Sequence, residues 1–206
     1  MSETSQHKEL VSSDSRSISG RLLSREDTVN GLPCRADTWV WFHGNGTISS
    51  CELACDTIIE HIPCRANSRV HFHGNGRLMK CYLTENCRVQ GVPARADTFV
   101  LFHENGILSA CRLDEDHFCN RVQCKSGTWL GFHDNGCLKR CIVAADTFKD
   151  GLLLKAGSWA AFHSNGVIEN YKLTADASIH GIVCKAGDIL LFDEEGRVTE
   201  TISMTV

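Results

Sequence analysis

Proline is scarce, with three residues in a chain of 206. That excludes extended polyproline linkers and leaves few fixed breaks in the backbone. No apolar run reaches the ~20 residues of a membrane-spanning helix. The first stretch, residues 1–20, is polar and serine-rich, with no apolar core of a secretory signal. The chain is therefore expected to be cytoplasmic, with residues before about Ser17 disordered. Neither sign of charge dominates: 21 Lys and Arg stand against 25 Asp and Glu, a net of −4. Nucleic acid and anionic membranes are accordingly not expected as partners. The Gly-x-Ser-x-Gly elbow, the P-loop and the His-Glu-x-x-His helix are all missing, so no cofactor is expected. Twelve cysteines are present but no Cys-x-x-Cys pair, which removes the usual framework of a structural zinc site.

What is present is a repeat. Phe-His-x-Asn-Gly begins at Phe42, Phe72, Phe102, Phe132 and Phe162, thirty residues apart each time. An eroded copy begins at Phe192, with Asp193 in place of histidine and Glu195 in place of asparagine. A fixed period of this size marks a repeat architecture. Units start near residues 31, 61, 91, 121, 151 and 181, and residues 21–206 form the expected repeat domain. The segment Arg21–Asn30 matches the tail of a preceding unit and is expected to cap the array, with the eroded last unit capping the other end. The cysteines follow the same ruler. Cys34, Cys64, Cys124 and Cys184 share one column, and Cys51, Cys81, Cys111 and Cys141 another. Ala, Leu and Tyr replace them elsewhere, so these are core positions in which cysteine acts as a small hydrophobe.

One unit reads as three short strand segments. The run Thr38–His43 is followed by a Gly44-Asn45-Gly46 turn, a second run Thr47–Leu53, a polar corner at 54–57 and a third run into Pro63-Cys64. An odd number of strands reverses a meander at each repeat. A coil that closes once per unit avoids this, so the first expectation is a β-solenoid resembling a parallel β-helix, with five full coils and a partial one ~4.8 Å apart. In that geometry the Phe42, Val40 and Ile48 columns line the core. The Asn45 column forms a ladder from coil to coil.

The phrase Phe-x-x-Asn-Gly-x-Leu is also similar to MORN-type repeats, over about seven residues of each unit. The unit here is longer and lacks the full MORN glycine and aromatic pattern. The resemblance implies the alternative fold, an open sheet of stacked hairpins, and a binding or tethering role.

Function is expected on the face opposite the core. With Val40 and Phe42 inward, Trp39, Trp41 and His43 point outward, as do Phe99, Leu101 and His103 in the third repeat. So much outward apolar surface marks a contact site, read here as a homodimer interface or as a site for a small anionic or aromatic ligand. The second repeat breaks the pattern: Arg69 and His71 stand where its neighbours carry aromatic or aliphatic residues, with His73 beside them. Arg69 suits a carboxylate or phosphate, and His71 and His73 suit proton transfer, with Trp39 and Phe99 as stacking walls. Two functions follow. The first is a binding or self-association module presenting an aromatic and histidine face. The alternative is a cofactor-independent isomerase, lyase or cyclase using Arg69, His71 and His73. A ladder of five histidines also invites a metal, but hydrogen bonds to the turns are the simpler role, and no metal is expected.

Overall fold

The computed structural model describes residues 19–203 except His180, and these hold 25 strands and no helix. No helix among the described residues is long and apolar enough to cross a membrane. The expected all-β repeat character is present. The expected disorder before Ser17 lies outside the described residues, while Ser19 and Gly20 already belong to the first strand, Ser19–Leu22.

Each repeat contributes four strands rather than three. In the first, Trp39–Phe42 and Ile48–Glu52 form a long hairpin, and Thr57–Ile59 and Ile62–Cys64 form a small two-stranded ribbon. The third run of the unit is not one strand but two, joined by a two-residue turn. Glu60 and His61 both adopt positive φ, 48° and 67°, the geometry of a hairpin turn matched to strand twist. Most repeats announce this turn with glycine at the second position, as in Asn30-Gly31 and Gln90-Gly91, but this one does not.

The even strand count changes the architecture. An antiparallel meander with four strands per repeat returns to the same direction, so equivalent residues stack without a closed coil. Every registered pairing between described strands is antiparallel. The parallel coil-to-coil ladder of a β-solenoid is absent among them, and the pairing is that of successive hairpins in an antiparallel sheet. Neighbouring repeats are therefore two strand spacings apart, ~9.5 Å, instead of ~4.8 Å.

The chain divides into two compact units, one comprising residues up to Asn86 with Ala96–Gly106, the other Cys87–Arg95 with Ile107 onward. In the first unit the sheet strands follow the order Ser19–Leu22, Trp39–Phe42, Ile48–Glu52, Arg69–Phe72, Leu78–Tyr82, Phe99–Phe102. In the second the order is Leu108–Arg112, Trp129–Phe132, Leu138–Ile142, Trp159–Phe162, Ile168–Lys172, Ile189–Phe192, Val198–Ile202.

The core lies on one face of these strands, beneath the ribbons. Val40, Val70, Val100 and Ala160 are wholly buried, as are Cys34, Cys51, Cys64 and Cys81. The ribbon is tied to the long strand by Arg35 N–H to Glu52 O at 2.9 Å and Ala54 N–H to Pro33 O at 2.8 Å. A bulge sets the parity of the second hairpin strand: Phe42 pairs with Ile48 but Trp41 with Ser50, leaving Ser49 extra. That is why the core columns Ile48 and Cys51 are three residues apart rather than two or four.

The Phe-His-x-Asn-Gly tetrad is the mechanical joint between repeats. His43 Nε2 donates to Phe72 O at 3.0 Å, His73 to Phe102 O at 2.9 Å, His133 to Phe162 O at 2.7 Å and His163 to Phe192 O at 2.8 Å. A carbonyl only accepts, so the proton in these contacts sits on Nε2. The asparagines reach the next repeat too, but bond backbone rather than one another. Asn75 Nδ2 donates to Glu104 O at 2.8 Å while its Oδ1 accepts from Arg77 N–H at 3.0 Å, and Asn135 and Asn165 repeat both contacts.

Candidate functional site

The face of the sheet away from the ribbons carries the residues marked out by the sequence. Side chains alternate across a strand, so burying Val40, Val70, Val100 and Leu130 turns Trp39, Arg69, Phe99 and Trp129 outward. The strands interleaved between them add Ser50, Glu52, Lys80, Tyr82, Arg112, Arg140 and Ile142 to the same face, as their registered pairing shows.

In the first unit Trp39 and Trp41 stack on each other, with ring centroids 5.3 Å apart and planes 20° apart. They rest on the Ser19–Leu22 strand, where a Cβ at Gly20 would come within 2.8 Å of the Trp41 ring. Glu52 stands opposite Arg69, their charged atoms 4.0 Å apart, and Glu52 also lies 3.8 Å from Arg35. His71 stands between Ser50 and Lys80. Burial, then the charges of Lys80 and Arg69, hold its imidazole below the ordinary histidine range. The cations of this patch are thus Arg69 and Lys80, with His71 held toward its neutral form. Lys80 Nζ sits 4.6 Å from the Phe99 centroid and 5.6 Å from that of Tyr82, and the two rings meet edge to face at 5.9 Å.

The second repeat's Arg69 and His71 do share one strand face. Trp39 and Phe99, expected one coil above and below them, stand four strand steps apart in the sheet order, ~19 Å, with Glu52 and Tyr82 between. They do not form two walls of one small pocket. His73 and His43 are engaged with the next repeat's backbone. Leu101 is half-buried opposite Lys80, and His103 is half-buried in the tetrad of the third repeat. A groove beside Arg69 is lined by Asp56, Arg65, Tyr82, Thr84 and Asp97, of which Arg65 and Asp97 form an ion pair at 2.7 Å. Its lining does not include His71. No group of three or more His, Cys, Asp or Glu able to hold a metal ion occurs among the described residues.

In the second unit the face is more open. Trp129 and Trp159 are 40% and 42% exposed, large fractions for tryptophan. Trp129 stands opposite Arg112, and Trp159 opposite Ile142. Two residues along, the strands carry Gly131 and Ala161, both buried, with Arg140 opposite each of them. A Cβ at Gly131 would meet the Arg140 side chain at 3.0 Å, so the arginine lies flat across the glycine. Lys172, Ile189 and Ile202 continue the row. The single-strand columns display Trp129 and Trp159 in sequence. Arg140 and Ile142 escape a strand-by-strand reading, because the bulge shifts the parity of the second hairpin strand.

No protein-family model, curated protein or solved structure significantly matches this chain.

Proposed function

We propose that the protein is a non-catalytic repeat module that docks a protein partner on the outer face of its sheet, the partner carrying acidic groups around an apolar patch. The observation that carries this reading is the composition of that face. Exposed Trp129 and Trp159 lie among Arg112, Arg140 and Lys172, with Glu200 the one acid among the paired positions of that face in the described second unit. Tryptophan and arginine are the residues that most often carry interface binding energy, and a net basic patch on a chain of charge −4 selects an acidic counterpart. The same charge balance disfavours the homodimer reading: two copies face to face set arginine and lysine against arginine and lysine. A MORN-like tethering role fits this proposal, since successive hairpins of the second unit set Arg112, Trp129, Arg140 and Trp159 side by side on one sheet face.

Selection of random displayed peptides on the immobilised full chain tests it. The expected winners combine Asp or Glu with aromatic or aliphatic residues and lose at least tenfold in affinity against Trp159→Ala and Arg140→Glu. Winners without acidic residues, or winners that bind the two variants equally well, sink the proposal. The catalytic alternative retains support only from His71, held toward its neutral form beside two cations. Turnover of any small acid by the protein that disappears in His71→Gln favours it.

A further inference from the structure

The outer face of the second unit has a period as well as a composition. Trp129, Trp159 and Ile189 open equivalent strands of successive repeats. Ile142 stands opposite Trp159, and the ladder that pairs Gly131 with Arg140 brings it opposite Trp129 as well, two residues further on. Lys172 stands opposite Ile189, and the pairing of Ala160 with Tyr171 brings it opposite Trp159. Arg112, Trp129, Ile142, Trp159, Lys172 and Ile189 therefore form one row across the strands, ~4.8 Å from each to the next. Its large apolar members Trp129, Trp159 and Ile189 recur every ~9.5 Å. Both indole rings are exposed while Ile142 is half-buried, so the row dips between two rings. Cations flank them. Arg112 is held beside Trp129, its Nε donating to Gly127 O at 2.8 Å, Lys172 is exposed beside Trp159, and exposed Arg140 lies two residues along its strand from Ile142.

A partner backbone that matches this row must present like side chains at the same interval. An α-helix brings residues seven apart onto one face every ~10.5 Å, which overshoots by ~1 Å at each step. An extended strand presents one face every ~6.7 Å, which matches neither one strand step nor two. A polyproline II helix repeats every third residue at ~3.1 Å per residue, ~9.3 Å per turn, and stays within a few tenths of an ångström of the row. We propose that this face reads an acidic, proline-rich segment in the polyproline II conformation. Prolines at every third position seat against Trp129, Trp159 and Ile189, and Asp or Glu between them faces Arg112, Arg140 and Lys172. Aromatic side chains are suited to such segments, whose backbone is already ordered before binding. The proposal rests on the docking reading above and adds to it the partner's backbone and spacing.

The test sets the full chain against three synthetic peptides of equal length and charge. One has proline at every third position with Asp or Glu between. The second has the same composition with its prolines side by side. The third has leucine in place of proline, spaced for one face of an α-helix. Binding is read by calorimetry and by tryptophan emission. The first peptide is expected to bind about tenfold more tightly than the other two. It is expected to lose about tenfold in affinity against Trp129→Ala and against Lys172→Glu, exposed positions whose variants keep the far-ultraviolet circular dichroism spectrum. Equal or tighter binding of the second or third peptide, or equal binding of the first to both variants, overturns the polyproline II proposal and leaves the docking reading standing. Failure of all three peptides overturns it too. The docking reading falls only if the displayed-peptide selection, which judges composition without spacing, fails as well.

Discussion

At the scale of single residues, the repeat shows which positions work against their own chemistry. Arg121 holds φ at 66° in the ribbon turn, where Gly31, Gly91 and Gly151 stand in other repeats. A non-glycine residue in the left-handed region costs about 1–2 kcal/mol. Arg121→Gly is therefore expected to stabilise the protein by about 1 kcal/mol, read as a higher midpoint in urea with unchanged slope. His73 works in the opposite direction. Its Nε2–H satisfies Phe102 O, and His73→Ala is expected to cost about 1 kcal/mol in the same measurement, with a loss of a few tenths or less arguing against the joint. His71 makes a pH prediction. Its folded value lies below the ordinary 6.5, so between the two values the unfolded chain binds more protons than the folded one. Stability then rises with pH across that window and is lost as pH falls through 6.5. His71→Gln is expected to flatten this part of the profile in urea titrations at a series of pH values. His117, also held low by burial and by Arg88, contributes in the same direction.

At the scale of elements, the first strand depends on the absence of a side chain. Gly20 pairs with Trp41, and the Trp41 and Trp39 rings lie over it. Gly20→Val is expected to lift the tryptophans or detach Ser19–Leu22, giving a red shift in tryptophan emission and faster amide exchange confined to Trp39–Phe42. An unchanged spectrum would show that the rings tolerate a branched side chain beneath them. The hairpins themselves were largely legible in the sequence: Asn45-Gly46 and its equivalents fixed the turn, and alternating apolar residues fixed the core face of the strand before it. The ribbons were only half legible. His61 and Arg121 occupy glycine positions of the turn column, so the unit read as three strands, and the odd count led to a parallel coil. The bulge at Ser49 concealed which residues of the second hairpin strand face outward, and with them Arg140 and Ile142.

At the scale of the whole molecule, the repeat is modular because four strands restore the chain direction. Removing residues 121–150, which joins Asn120 to Gly151, is expected to leave a folded β-protein with a smaller urea slope, in proportion to the surface lost. Removing half a period leaves an antiparallel chain with its core and outer faces out of register and is expected to abolish cooperative unfolding. The sequence by itself determined the period, the β class, the buried columns and the strand that carries Trp39, Arg69, Trp129 and Trp159, because each depends on local alternation and turn chemistry. Only the tertiary structure decided that successive repeats stand two strands apart. That spacing separates the histidines, ties His43, His73, His133 and His163 to carbonyls of the following repeats and spreads the second-repeat patch beyond the reach of one small ligand.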